Sequence, residues 1–199
     1  MTKLAKARKV AANYLTQPAV RLLAKTPITP NTLTWFGFLL TVGAAVLITT
    51  GNLVAAGLVV LFASFFDMLD GALARLTNQT TQFGAVLDST LDRLAEAVLL
   101  LSILVLYARE QAIAGVLLAG MALVGSFMVS YLRARVEALG IECQVGIFTR
   151  TERVIVLALS LLLSQINYVL ITALAIIALF SFFTAGQRLF YAWRQTRVE

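Results

Sequence analysis

Long apolar runs separated by short polar breaks dominate the chain. Each run fills about twenty positions, the length of helix that crosses a bilayer's hydrocarbon core. Six spans are predicted: Leu33–Thr50, Leu53–Arg75, Phe83–Tyr107, Ile113–Leu132, Arg153–Ser164 and Tyr168–Phe190. The fifth is short. Thr149-x-x-Glu152 has the form of a capping box and would start that helix a turn earlier. Thr29-Pro30-Asn31 breaks the chain and can open the first span. Before it, residues 3–25 set Leu4, Val10, Ala11, Tyr14, Leu15 and Leu22 among lysines and arginines. That is the pattern of an amphipathic helix lying on a membrane surface. The expected fold class is an all-α polytopic membrane protein with six transmembrane helices and an N-terminal amphipathic surface helix. Residues 1–30 form the juxtamembrane segment and residues 31–199 one six-helix membrane domain.

Composition agrees with this pattern and removes several kinds of chemistry. The chain is 60% hydrophobic and 13% charged, too apolar for an ordinary soluble domain. The basic N-terminus has no apolar core or small-residue cleavage site, so no cleaved signal is expected. Histidine is absent, which excludes a histidine base and histidine-ligated zinc. The lone cysteine, Cys143, cannot form an internal disulfide. Charge placement orients the chain. With six spans, Lys3, Lys6, Arg8, Lys9, Arg21, Lys25, Arg75, Arg93, Arg133, Arg135, Arg150, Arg153, Arg188, Arg194 and Arg197 fall on the side of the termini, and only Arg109 falls opposite. The positive-inside rule then places both termini in the cytoplasm.

Against this background the stretch FFDMLDGALAR, residues 65–75, stands out. On a helix Asp67 and Asp70 lie about 60° apart, with Gly71 and Ala74 on the same face and Arg75 at its edge. In the next span Gly84, Asp88 and Asp92 recur at steps of four and form a row. The short connection Leu76–Gln82 predicts that the two helices are antiparallel neighbours. Four carboxylates would then face one another just inside the cytoplasmic edge. Each costs roughly 2.5–3.5 kcal/mol to insert. Pairing with Arg75 and Arg93 would offset part of that. It would not account for four aspartates without a glutamate, nor for glycines on the same face. Bound divalent cations account for both, and an all-oxygen ligand set suits Mg²⁺ or Mn²⁺. Two such ions sharing carboxylates would make the clamp used in phosphoryl transfer. Gly71 and Gly84 leave room either for a bulky substrate or for close helix approach.

The spacing Asp67-x2-Asp70-Gly71-x2-Ala74-Arg75-x8-Gly84-x3-Asp88-x3-Asp92 resembles the signature of the CDP-alcohol phosphotransferase (CDP-alcohol phosphatidyltransferase) family, with every fixed position filled. The six spans and basic N-terminal helix are also similar to that family. The resemblance implies transfer of a phosphatidyl or related group from a CDP-linked donor to an alcohol, with release of CMP. It implies that Asp67, Asp70, Asp88 and Asp92 hold two metal ions, Mg²⁺ with Mn²⁺ as the alternative, and that Asp92 is the base for the acceptor hydroxyl. Gly71, Ala74, Arg75 and Gly84 would meet the nucleotide and its phosphates, with Asn31, Thr32 and Thr81 as further contacts. It also implies a homodimer in the cytoplasmic membrane, with the active site on the cytoplasmic side, and no nucleic-acid partner.

The acceptor is read from a second group. Arg133, Arg135, Arg150, Arg153 and Arg188 fall at cytoplasmic ends of the last three spans. Singly, each fits positive-inside anchoring. Together they could line an anionic pocket beside the metals, which favours a phosphorylated acceptor over serine or choline. FFDMLDGALAR, FGAVLDSTLDR, SYLRARVE and the late QR resemble the phosphatidylinositol phosphate synthases within the family. That likeness implies CDP-diacylglycerol as donor and inositol 1-phosphate as acceptor, held by Arg133, Arg153 and Arg188. Arg133 departs from the lysine expected there; the charge is kept but the geometry differs. Glycerol 3-phosphate, as in phosphatidylglycerophosphate synthase, is the alternative acceptor. An archaeal-type ether lipid is the alternative donor. A divalent-cation carrier, the non-enzyme alternative, would want acids at mid-membrane and a path to both sides.

Overall fold

A computed structural model of the chain describes residues 17–196. Most of the expected amphipathic segment, and Arg197, lie outside the described residues. The described part is all-helical, with no strand among the described residues. Six long helices follow in order: α1 (Pro30–Thr49), α2 (Leu53–Leu76), α3 (Gln82–Arg109), α4 (Ile113–Glu137), α5 (Arg150–Leu162) and α6 (Val169–Thr196). They match the six sequence spans to within a turn or two at either end. Among the described residues α1, α2, α4 and α6 are long and apolar enough to cross a membrane.

Capping chemistry explains several boundaries. Thr29 caps α1, its hydroxyl oxygen accepting from Thr32 N, and Pro30 opens the helix, where its missing N–H costs nothing. Thr81 caps α3 by accepting from Gly84 N at 2.9 Å. The expected capping box is present: Thr149 N donates to the Glu152 carboxylate, and α5 starts at Arg150 rather than Arg153. α4 runs past the apolar stretch to Glu137, where an Arg133–Glu137 pair at spacing i, i+4 supports its last turn.

The packed pairs are α1 with α2 and α3, α4 with α3 and α6, and α5 with α2 and α6. Every helix therefore has two principal neighbours, and the six close into a ring. Its apolar interior is built from residues such as Ile48, Val60, Leu100, Ile103, Leu161, Leu174 and Ile177, all nearly or fully buried. Small residues set the close crossings. A Cβ on Gly57 of α2 would stand 3.0 Å from both the Leu162 side chain and its backbone N, so α5 lies tight against α2. At the other end of the ring, Arg109 Nη1 donates to the Thr49 carbonyl at 2.8 Å and so satisfies the C-terminus of α1. Residues 17–23 are helical, and Val20 packs with Leu33, Leu69 and Leu73 on the ends of α1 and α2.

One expectation is corrected. α2 and α3 do not pack on each other as close neighbours; α1 packs against both. A layer of carboxylates on the facing sides of two helices opposes close packing of their backbones. The short loop 77–81 brings the two helices opposite each other, and the gap between them holds the site.

Candidate active site

The ring's arrangement puts the C-terminal half of α2 opposite the first turns of α3, beside the first turn of α5. One carboxylate oxygen each from Asp67, Asp70 and Asp88 lies within 4.8 Å of the others. Asp70 is only 4% exposed. Its Oδ1 accepts from Gly71 N, while its Oδ2 is buried with no hydrogen-bond partner. The Thr34 hydroxyl in the same wall donates elsewhere, to the Pro30 carbonyl at 3.1 Å. A buried carboxylate oxygen without a donor is costly. Three converging carboxylates, one of them orphaned in this way, fit a hard divalent cation. Asp92 stands outside this triad, one turn further along α3, and meets Asp67 through Arg150. Arg150 Nη1 lies 2.8 Å from Asp67 Oδ2 and 2.5 Å from Asp92 Oδ1.

Two larger cavities open at the acids, beside a small one of about 30 Å³ walled by Asp67, Asp92, Glu96 and Arg150. The first, about 160 Å³, is walled by Asn31, Asp70, Gly71, Ala74, Arg75, Thr81, Gly84 and Asp88. Six of the seven residues expected to meet the nucleotide are thus brought together. The seventh, Thr32, is not in that wall; its hydroxyl pairs with that of Thr29, 2.8 Å away. Gly84 is tightly placed, since a Cβ there would come 2.9 Å from Thr81 Oγ1 and 3.3 Å from Asn31 Oδ1. A side chain at 84 would therefore intrude where the α3 cap, Asn31 and the cavity wall meet.

The second cavity is larger, about 590 Å³. Asp88 and Asp92 stand on one side, with Arg93, Arg133, Arg150, Arg153 and Arg188 around the rest. The three arginines expected to hold the acceptor phosphate all line it, but they are committed differently. Arg133 is half-exposed and paired with Glu137 at 2.8 Å. Arg153 is 1% exposed, and Glu96 grips it with both carboxylate oxygens, at 2.5 and 2.7 Å. Arg188 is also buried, but among the described residues it donates to backbone carbonyls, to Val145 at 2.9 Å and to Val129 at 2.5 Å. The loop before α5 makes the Val145 contact possible. Gly146 there has φ +132°, and a Cβ on it would strike Thr184 at 2.7 Å. Arg188 is thus the buried cavity arginine whose described bonds include no carboxylate.

Two contacts were missed in the sequence reading, and both left traces in it. Glu96 continues the four-step row of Asp88 and Asp92, which places it on the same face of α3. Arg150 and Arg153 sit in the first turn of α5, where the helix dipole disfavours cations. Two arginines at that end need a compensating reason, and the acids of α2 and α3 supply it.

The likeness to known proteins points the same way. The model of the family described as CDP-alcohol phosphatidyltransferase matches residues 27–185. The phosphatidylinositol phosphate synthase of Corynebacterium glutamicum is 40% identical over 187 residues, which cover 91% of this chain and 85% of that protein. The archaetidylinositol phosphate synthase of Methanothermobacter thermautotrophicus is 36% identical over 167 residues, 83% of each chain. Crystal structures of the Mycobacterium tuberculosis phosphatidylinositol phosphate synthase superpose closely. The form with CDP-DAG bound has a TM-score of 0.81 at 33% identity, covering 90% of this chain and 94% of that one. The form with manganese and citrate has a TM-score of 0.80 at 34% identity, covering 89% and 88%.

Proposed function

Because the chain belongs to the CDP-alcohol phosphatidyltransferase family, we propose that it transfers the phosphatidyl group of CDP-diacylglycerol to inositol 1-phosphate, giving phosphatidylinositol phosphate and CMP. The observation that carries this reading is the shared acidic wall. Asp88 borders both the cavity with Arg75 and the cavity rich in arginine. A nucleotide donor on one side and an anionic acceptor on the other would meet there.

The residues take roles accordingly. Asp67, Asp70, Asp88 and Asp92 hold two divalent ions, Mg²⁺ or Mn²⁺, which when bound neutralise the pyrophosphate and the leaving CMP. Gly71, Ala74, Arg75, Thr81, Gly84 and Asn31 form the nucleotide side, with Thr32 fixing the helix end that carries Asn31. Arg75 offers a fixed cationic fork to phosphate. Arg133, Arg153 and Arg188 receive the acceptor's phosphate. The acceptor hydroxyl oxygen bonds to the lipid-side phosphorus, the bond from that phosphorus to CMP breaks, and Asp92 takes the hydroxyl proton. All six long helices span the membrane, α5 with the least length, and the site and both termini face the cytoplasm. The chain works as a homodimer, which light scattering of the purified protein tests directly.

Purified protein with CDP-diacylglycerol and Mg²⁺ should release CMP with inositol 1-phosphate, and chelation should stop it. Turnover with serine or free inositol would refute the arginine-cavity reading, and preference for glycerol 3-phosphate would redirect it. A donor of the archaetidyl type is a second reading, favoured by the archaeal relative. The names of the two relatives share inositol phosphate and differ in the lipid. Offering diacyl and ether-linked CDP-lipids side by side decides between the donors.

A further inference from the structure

Arg150 serves two surroundings at once. Its Nη1 bridges Asp67 and Asp92, and its side chain also lines the arginine-rich cavity. Asp67 belongs to the three-carboxylate group. Arg150 therefore engages a carboxylate that a cation at the triad would also use. Its Nε is buried without a partner, so the guanidinium is incompletely satisfied where it stands. The other cavity arginines differ. Arg153 is gripped by Glu96, which is not part of the triad. Arg188 holds backbone carbonyls, and Arg93 donates back to the Ser89 carbonyl of its own helix.

A guanidinium and a divalent cation that draw on the same carboxylates weaken each other's hold. An arginine whose charge is spent on two carboxylates also has less to offer an anion in the cavity beside it. We propose that Arg150 couples cation binding to acceptor-phosphate binding: it competes with the divalent cation for Asp67 and Asp92, and a cation that takes those carboxylates frees the guanidinium for the phosphate in the arginine-lined cavity. This rests on the assignment of the acidic group and the arginine cavity made above. Coupling of this kind is reciprocal. Cation tightens phosphate binding, and phosphate tightens cation binding by the same factor.

The test uses the full chain in detergent without any CDP-lipid. Mn²⁺ binding is followed by the electron paramagnetic resonance of free Mn²⁺, and inositol 1-phosphate binding by calorimetry with and without Mn²⁺. Arg150→Gln should bind Mn²⁺ roughly threefold or more tightly than the wild type, the scale of losing a partly exposed ion-pair competitor. The factor by which Mn²⁺ tightens inositol 1-phosphate should fall by about fivefold or more, a coupling of ordinary size. Arg93→Gln should weaken inositol 1-phosphate binding but keep the wild-type coupling factor. Arg150→Lys keeps the charge, so it serves if the glutamine variant does not fold; a point charge bridges two carboxylates poorly, and Mn²⁺ should again bind more tightly. If the folded variants bind Mn²⁺ no more tightly than the wild type, or Arg150→Gln keeps the full coupling factor, the proposal is overturned. If the wild type shows no Mn²⁺ binding that Asp88→Asn removes, the acidic-group assignment fails first and the coupling with it.

Discussion

The two cavities beside the aspartates are built in opposite ways. The smaller is lined largely by one helix pair and its loop, residues 70–88, closed by the start of α1. The larger draws on α3, α4, α5 and α6, and its arginines come from positions 93 to 188. The first is local in sequence and keeps its spacing by helical period alone. The second exists only when the ring closes. A site that handles one constant partner and one variable partner can fix the constant side in a short motif and leave the variable side to scattered residues.

The largest expected effect lies on the acidic side of the larger cavity. Asp92→Asn should lower turnover by roughly 10²–10⁴-fold, the range for losing a general base. Mn²⁺ binding should persist in part, because Asp67, Asp70 and Asp88 converge without Asp92; a near-normal rate would remove Asp92 from its role as base. Next comes the larger cavity's support. Glu96→Ala leaves Arg153 buried and uncompensated, and should cost about 3–5 kcal/mol in stability, read as a lower melting temperature in detergent. Arg188→Gln is a cleaner probe of binding. Loss of a charged hydrogen-bonding group is worth about 1.5–3 kcal/mol, so KM for the acceptor should rise roughly 10- to 100-fold while KM for the CDP-lipid stays put. A rise in both would mean that the cavities are not functionally separate. The smallest effect is on the other side. Gly84→Ala crowds Thr81 and Asn31 and weakens the α3 cap, worth about 1 kcal/mol. It should raise KM for the CDP-lipid several-fold and leave the acceptor unaffected.

How much could be read in advance follows the same division. Helical periodicity and capping residues located all six helices, and Asp70, Gly71, Arg75, Gly84 and Asp88 of the motif fell into one cavity wall, with Asp67 and Asp92 outside it. Helix adjacency was not readable. The short connection Leu76–Gln82 suggested that α2 and α3 pack on each other, but acids facing acids hold them apart and α1 packs on both. The arginines were recognised as a cluster by charge alone. Their differing commitments, Arg150 to aspartates, Arg153 to Glu96 and Arg188 to carbonyls, depend on which elements meet across the ring. Residues 43 to 83 positions apart in sequence make those contacts. Local pattern carries no record of such distances, except where a helix start holds charges that its own dipole resists.

The shortness of α5 has a physical consequence for the bilayer. Thirteen residues make about 20 Å of helix, against a hydrocarbon thickness of about 30 Å. A helix that short cannot hold its first-turn arginines level with the headgroups on one side while its other end reaches the far leaflet. In the six-span arrangement proposed above, the water boundary would dip into the ring beside α5, as membranes thin around short spans. A lipid donor then keeps its ordinary depth, and the dip carries the soluble reactant down to the lipid's phosphorus.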